Sequence, residues 1–210
     1  MGTPDFAVPA LEALNHSSHE ILLVVTQPDR RKGRGRKLAP PPVKSAALEM
    51  GYDVLQPETV KTDEFATTLK NLAPDLLVVI AFGQVIPKAV LEIPAMGAMN
   101  LHASLLPKYR GPAPIQWAII NREKETGVTT MLMDEGVDTG DMLLFKKVEI
   151  NDRETSETLH DKLADVGADL VLETLDKLTD GSLSPVPQND EQSSHAPLLK
   201  KQDGRIDWSR

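Results

Sequence analysis

Apolar and polar positions along the chain fall into two alternating rhythms. The runs ILLVVTQ (21–27) and DLLVVIAF (75–82) are almost unbroken. They lack the period of two that a half-exposed strand shows, so they belong in a sheet covered on both faces. Between them lie KSAALEMG (44–51), a short helix ending on Gly51, DVLQP (53–57), a brief strand, and EFATTLKNL (64–72), a second helix. GAMNLH (97–102) reads as a following strand and 115–122 as a helix. The period then changes: TGVTTMLMD and DMLLFKKVEI flank EGVDTG, a turn-rich connection. SETLHDKLADVGADLVLETLDKLTDG keeps helical spacing up to Gly181. Strands alternating with helical crossovers predict an α/β fold with a doubly wound, mostly parallel, Rossmann-like sheet.

The pattern also predicts where the fold stops. Residues 1–181 form the predicted domain, and 182–210, opening with the polar, proline-bearing SLSPVPQNDEQSSH, read as a linker. In a doubly wound sheet the first strand is usually central. Here MGTPDFAVPALEALN reads as a loop and helix with no strand before it, so that strand is expected to be missing. Its neighbours would then carry unpaired edges, at a cost in stability.

Charge adds a contrast. The 210 residues carry a net charge of −8, which argues against general nucleic-acid binding because phosphates repel an acidic surface. Yet RRKGRGRK (30–37) places six cations in eight positions, leaving about −14 on the rest of the chain. With no cysteines, disulfides and thiolate metal sites are excluded. No apolar run reaches the roughly 18 residues of a membrane span and no basic leader opens the chain, so a cytoplasmic location without a membrane partner is expected. His16, His19, His160 and His195 lack ligand spacing and read as surface residues, and no metal is expected. Gly33 and Gly35 lack the rest of a dinucleotide fingerprint.

The candidate chemistry sits in NLHASLLPKYRGPAP (100–114) and MDEGVDTGD (133–141). Ligands in open parallel sheets bind beyond the carboxyl ends of strands, where Asn100 and His102 fall, two apart and so on one side of their strand. Asp138 follows 36 residues after the histidine, between glycines that permit close backbone approach. An amide, an imidazole and a carboxylate suit acyl transfer to an amine. Asn100 would donate to the oxyanion of a tetrahedral intermediate, and His102 would polarise the carbonyl and shuttle a proton. Asp138 would orient the imidazole or take the proton of the attacking ammonium through a water. None of the three is an obvious covalent nucleophile, so direct attack by the amine is the simpler route.

Asn100-x-His102, followed by Ser104-Leu-Leu-Pro107, Arg110-Gly111 and Gly136-x-Asp138-x-Gly140, resembles the folate-dependent formyltransferases. Gly2-Thr3-Pro4-Asp5-Phe6, Thr26-Gln27-Pro28-Asp29, Gly33-Arg34-Gly35, Pro42-Val43-Lys44 and Ile206-Asp207-Trp208-Ser209 extend the similarity, within that family, to the branch acting on tRNA. The resemblance implies transfer of a formyl group from 10-formyltetrahydrofolate to the α-amino group of methionyl initiator tRNA by a monomeric enzyme. It implies Asn100, His102 and Asp138 as the catalytic residues, and Ser104, Leu105, Leu106 and Pro107 as the folate-binding segment. Arg30, Arg31, Lys32, Arg34, Arg36 and Lys37 would meet the acceptor arm. A C-terminal β-barrel that the family carries is expected to be absent from this chain. An amino-sugar-nucleotide formyltransferase and a non-catalytic folate- or RNA-binding fragment remain as alternatives.

Overall fold

The computed structural model describes every residue except 34, 36, 207, 209 and 210. The strands are β1 (Val24–Val25), β2 (Arg30–Lys32), β3 (Lys37–Ala39), β4 (Val54–Leu55), β5 (Leu77–Val79), β6 (Ala98–His102), β7 (Glu125–Leu132) and β8 (Met142–Glu149). The helices are α1 (Val8–Asn15), α2 (Pro42–Glu49), α3 (Asp63–Leu72), α4 (Lys88–Leu91), α5 (Pro114–Ile120) and α6 (Ser156–Thr179). The α/β alternation expected from the apolar rhythm is therefore observed. β1 pairs with β4, and β5 with β6, in parallel; past β6 the chain returns as the antiparallel β7–β8 hairpin. β2 and β3 form a separate antiparallel hairpin within the basic cluster.

Met1 and Gly2 join the two parallel pairs. Gly2 N donates to Val25 O at 3.0 Å and Ile80 N to Met1 O at 2.9 Å, while the terminal amine donates to Val78 O at 2.6 Å. A cavity of about 490 Å³ continues that line between Leu22–Val25 and Leu76–Ile80. The two apolar runs form ladders over Val24–Val25, against β4, and Leu77–Val79, against β6.

Two apolar layers cover the sheet. On one face α1, α2 and α6 pack with Met99 and Leu101; on the other, Phe65 and Leu69 of α3 and Val90 and Leu91 of α4 pack with Leu77, Val79 and Ala98. α6 buries Leu159, Leu163, Ala164, Gly167, Ala168, Leu170, Val171 and Leu175 along one stripe, each large side chain contributing about 1.5–3 kcal/mol. Thr155 caps its start by accepting from Thr158 N. Because Met99 and Leu101 face the α6 layer, the alternate residues Asn100 and His102 face the other way, out of the larger core.

Candidate functional site

β6 sets Asn100 and His102 in the middle of the larger sheet, opposite Met131 and Thr129 of β7. His102 is buried, and its Nε2 lies 2.8 Å from the carbonyl oxygen of Tyr109. A carbonyl can only accept, so Nε2 carries the proton in the neutral ring and Nδ1 is left with its lone pair. Nδ1 points at Asp138, 3.6 Å from Oδ2. The imidazole is therefore held with its lone-pair nitrogen facing a carboxylate. Asn100 is half-buried, and its side-chain amide has no hydrogen-bond partner among the described residues.

The proline-bearing segment after β6 is braced by β7. Thr129 Oγ1 donates to Ser104 O at 2.7 Å and accepts from Leu106 N at 3.2 Å. Ser104 is fully buried and its Oγ donates to Lys108 O at 2.6 Å. Its hydroxyl thus shapes the segment, while Leu105 and Pro107 stay half-exposed and Leu106 is buried. Tyr109, with φ +62°, turns its carbonyl toward His102. Its phenol donates to Glu123 at 2.6 Å, and burial, then that carboxylate, push its pKa above the ordinary value. The ring is anchored as a neutral strut.

Asp138 comes from the connection between β7 and β8. Oδ2, besides facing His102, accepts from Gly111 N at 2.8 Å, and the residue itself sits at φ +56°. Asp134 closes the turn by accepting from Gly136 N and Thr139 Oγ1. The three polar residues singled out in the sequence are thus served by one neighbourhood: Asn100 and His102 on one strand, and Asp138 in contact with the histidine.

Sequence reasoning missed the segment that closes this neighbourhood. The stretch after Gly181, expected as a linker, lies against the domain between Val186 and Pro197. Val186 exchanges backbone hydrogen bonds with Met142, and Ala196 N donates to Arg110 O at 2.7 Å while its carbonyl accepts from Ala113 N. Ser194 Oγ accepts from Tyr109 N, and Gln188 Nε2 donates to the carbonyl oxygens of Asp138 and Gly140. Of these strap residues only Ala196 is buried and apolar, so no hydrophobic period marks the segment.

Of the six predicted basic residues, Arg30, Arg31, Lys32 and Lys37 belong to the β2–β3 hairpin. Arg31 and Lys37 are exposed on the β2–β3 hairpin, while Arg30 Nη2 donates to Gln27 Oε1 at 3.1 Å; Lys32 belongs to β2, and Arg34 and Arg36 fall outside the described residues. The hairpin root is fixed by Asp29, which accepts from Lys44 at 2.8 Å and from Gln56 at 2.8 Å. These bonds, that of Lys44 foremost, hold its carboxyl below the usual range.

Residues 1–175 match the family described as formyl transferase. A protein of Pelobacter propionicus named methionyl-tRNA formyltransferase is 57% identical over 210 residues, covering all of this chain and 66% of its own length. One of the same name from Thermodesulfovibrio yellowstonii is 56% identical over 208 residues, covering 99% of this chain and 67% of its own. The chain thus spans about two thirds of the length of these relatives. Among solved structures, phosphoribosylglycinamide formyltransferase from Bacillus halodurans superposes with a TM-score of 0.71 at 25% identity, over 86% of this chain and 94% of that one. An N-formyltransferase from Helicobacter canadensis, in complex with folinic acid and dTDP-3-aminofucose, gives 0.71 at 24% identity, over 97% and 70%, a likeness of fold.

Proposed function

The chain belongs to the formyl transferase family, and we propose that it carries the transfer site of a methionyl-tRNA formyltransferase, moving the formyl group of 10-formyltetrahydrofolate to the α-amino group of methionyl initiator tRNA. The single observation that carries the mechanism is the His102 ring, pinned through Nε2 by the Tyr109 carbonyl and facing Asp138 through Nδ1. The amine attacks the formyl carbon, forming the new C–N bond. The unpartnered amide of Asn100 donates to the oxyanion that develops, a contribution of about 3–4 kcal/mol to the barrier. The proton leaving the attacking nitrogen passes to the His102–Asp138 pair. It is returned to the departing N10 of the folate as the old C–N bond breaks, so no net proton is gained or lost. The braced segment 104–107 supplies a rigid wall for the folate, with Leu105 and Pro107 as the more accessible contacts, so that little orientational freedom is lost on reaching attack geometry.

The names and identities of the Pelobacter and Thermodesulfovibrio relatives favour tRNA over an amino sugar as acceptor. The exposed Arg31 and Lys37 on an otherwise acidic chain support the same choice, since a local basic finger can grip phosphates where the general field repels them. A formylation assay with charged initiator tRNA tests the reading. Turnover that disappears in Asn100→Ala supports it; formylation of an amino-sugar nucleotide but not of tRNA overturns it. Arg34→Ala should raise KM for tRNA about tenfold, the worth of one charged contact, and leave folate binding unchanged. An unaltered KM would remove this arginine from tRNA binding.

A further inference from the structure

Gln188 has every side-chain atom capable of hydrogen bonding engaged at the Asp138 turn. Nε2 donates to Asp138 O at 3.0 Å and to Gly140 O at 2.7 Å, and Oε1 accepts from Arg110 Nε at 2.9 Å. Two carbonyls at one end and a guanidinium at the other allow only this amide orientation. Arg110 is itself 6% exposed, and its Nη2 reaches Asp190, which lies on the surface. The circuit closes through the residue after it: Gly111 N donates to Asp138 Oδ2, the oxygen that faces His102. Gln188 therefore holds the main chain of the turn on both sides of Thr139, while Gly111 holds the side chain of Asp138. Such bracing is needed there, because φ +56° is an uncommon conformation for an aspartate and relaxes unless its surroundings fix it.

We propose that Gln188 is a positioning residue for formyl transfer, acting through the main chain of Asp138 and Gly140 to keep the Asp138 carboxylate on Nδ1 of His102. The inference rests on the reading of His102 and Asp138 as the proton-handling pair. It assigns a role in the reaction to the strap 186–197, which touches neither His102 nor Asn100 through Gln188. The strap supplies the amide, the buried Arg110 orients it, and the turn is locked only when the two are engaged together.

The informative variant is Gln188→Glu. Its carboxylate keeps the Arg110 partner but has no N–H for the two carbonyls, which it repels. Gln188→Asn keeps the amide and falls one methylene short. In both, kcat should drop about 10- to 50-fold while KM for the folate and for tRNA moves less than threefold, as expected for a misplaced reacting group and intact binding. Glu191→Gln, on the same strap, should match the parent. In parallel, the Nδ1 resonance of His102 in nitrogen NMR of the substrate-free protein at fixed pH should move in Gln188→Asn toward its position in Asp138→Asn, because the carboxylate has left Nδ1 in both. A strap that merely stabilises the fold would lower the melting temperature without moving that resonance. An unmoved His102 resonance in folded Gln188→Asn, or an unchanged kcat in either folded variant, overturns the proposal. Should the parent itself transfer no formyl group, the functional reading fails, and the His102 resonance alone still decides whether Gln188 positions Asp138.

Discussion

Asp138→Asn should reduce kcat for formyl transfer by about 10²–10⁴ while leaving the protein folded and both KM values within a few-fold of the parent. Asparagine is the sharper substitution because it keeps the size of the side chain and accepts the left-handed conformation at φ +56°, where alanine would be strained. Its oxygen can still accept from Gly111 N, so the turn keeps its shape. What disappears is the negative charge 3.6 Å from Nδ1 of His102. With its oxygen toward Gly111, the new amide leaves the imidazole beside a neutral group that cannot stabilise an acquired proton. Turned the other way, its NH2 meets the Gly111 N–H and both lose a partner. The histidine cannot exchange roles between its nitrogens to compensate, since Nε2 is committed to Tyr109 O. A kcat within tenfold of the parent would show that the carboxylate has no part in moving the proton.

The strand and the histidine of this pair were legible in the sequence for a physical reason. An unbroken apolar run must be buried on both faces, and the first polar residues at the end of a neighbouring strand must lie at the rim, which located Asn100 and His102. The residues that orient them were not legible. Tyr109 contributes a carbonyl, Thr129 bonds a loop far from it in sequence, and Gln188 acts 50 residues from Asp138 through main-chain oxygens that any residue possesses. A hydrogen bond to backbone leaves no compositional trace, so SLSPVPQNDEQSSH reads as a linker even though its partners hold it in place. The same limit explains the β2–β3 hairpin. Arg31 and Leu38, paired in its ladder, are both exposed, so no burial imposes a period on the sequence there.

Gly140→Ala is the second large effect expected, and its cause is space. A Cβ at residue 140 would fall onto the carbonyl oxygen of Leu132 and within 2.9 Å of its carbonyl carbon, both main-chain atoms at the end of β7. Those atoms are fixed, because Leu132 N is bound to Asp141 O at 2.9 Å just beyond the glycine. The turn must therefore move, carrying with it the Gly140 carbonyl that Gln188 grips and the Asp138 carboxylate two residues earlier. A displacement of about 1 Å of a reacting group can lower a rate about 10²-fold, and overpacking of this kind costs about 1–3 kcal/mol of stability. Gly140→Ala should accordingly lower both kcat, by at least that factor, and the melting temperature. Gly136→Ala offers the contrast within the same turn: its added methyl meets the side chain of Thr139, whose hydroxyl can rotate away at the loss of its bonds to Asp134. It should cost less than tenfold in kcat. If the two alanine variants were equally active, the close approach of the turn to β7 would not be what aims Asp138 at the histidine.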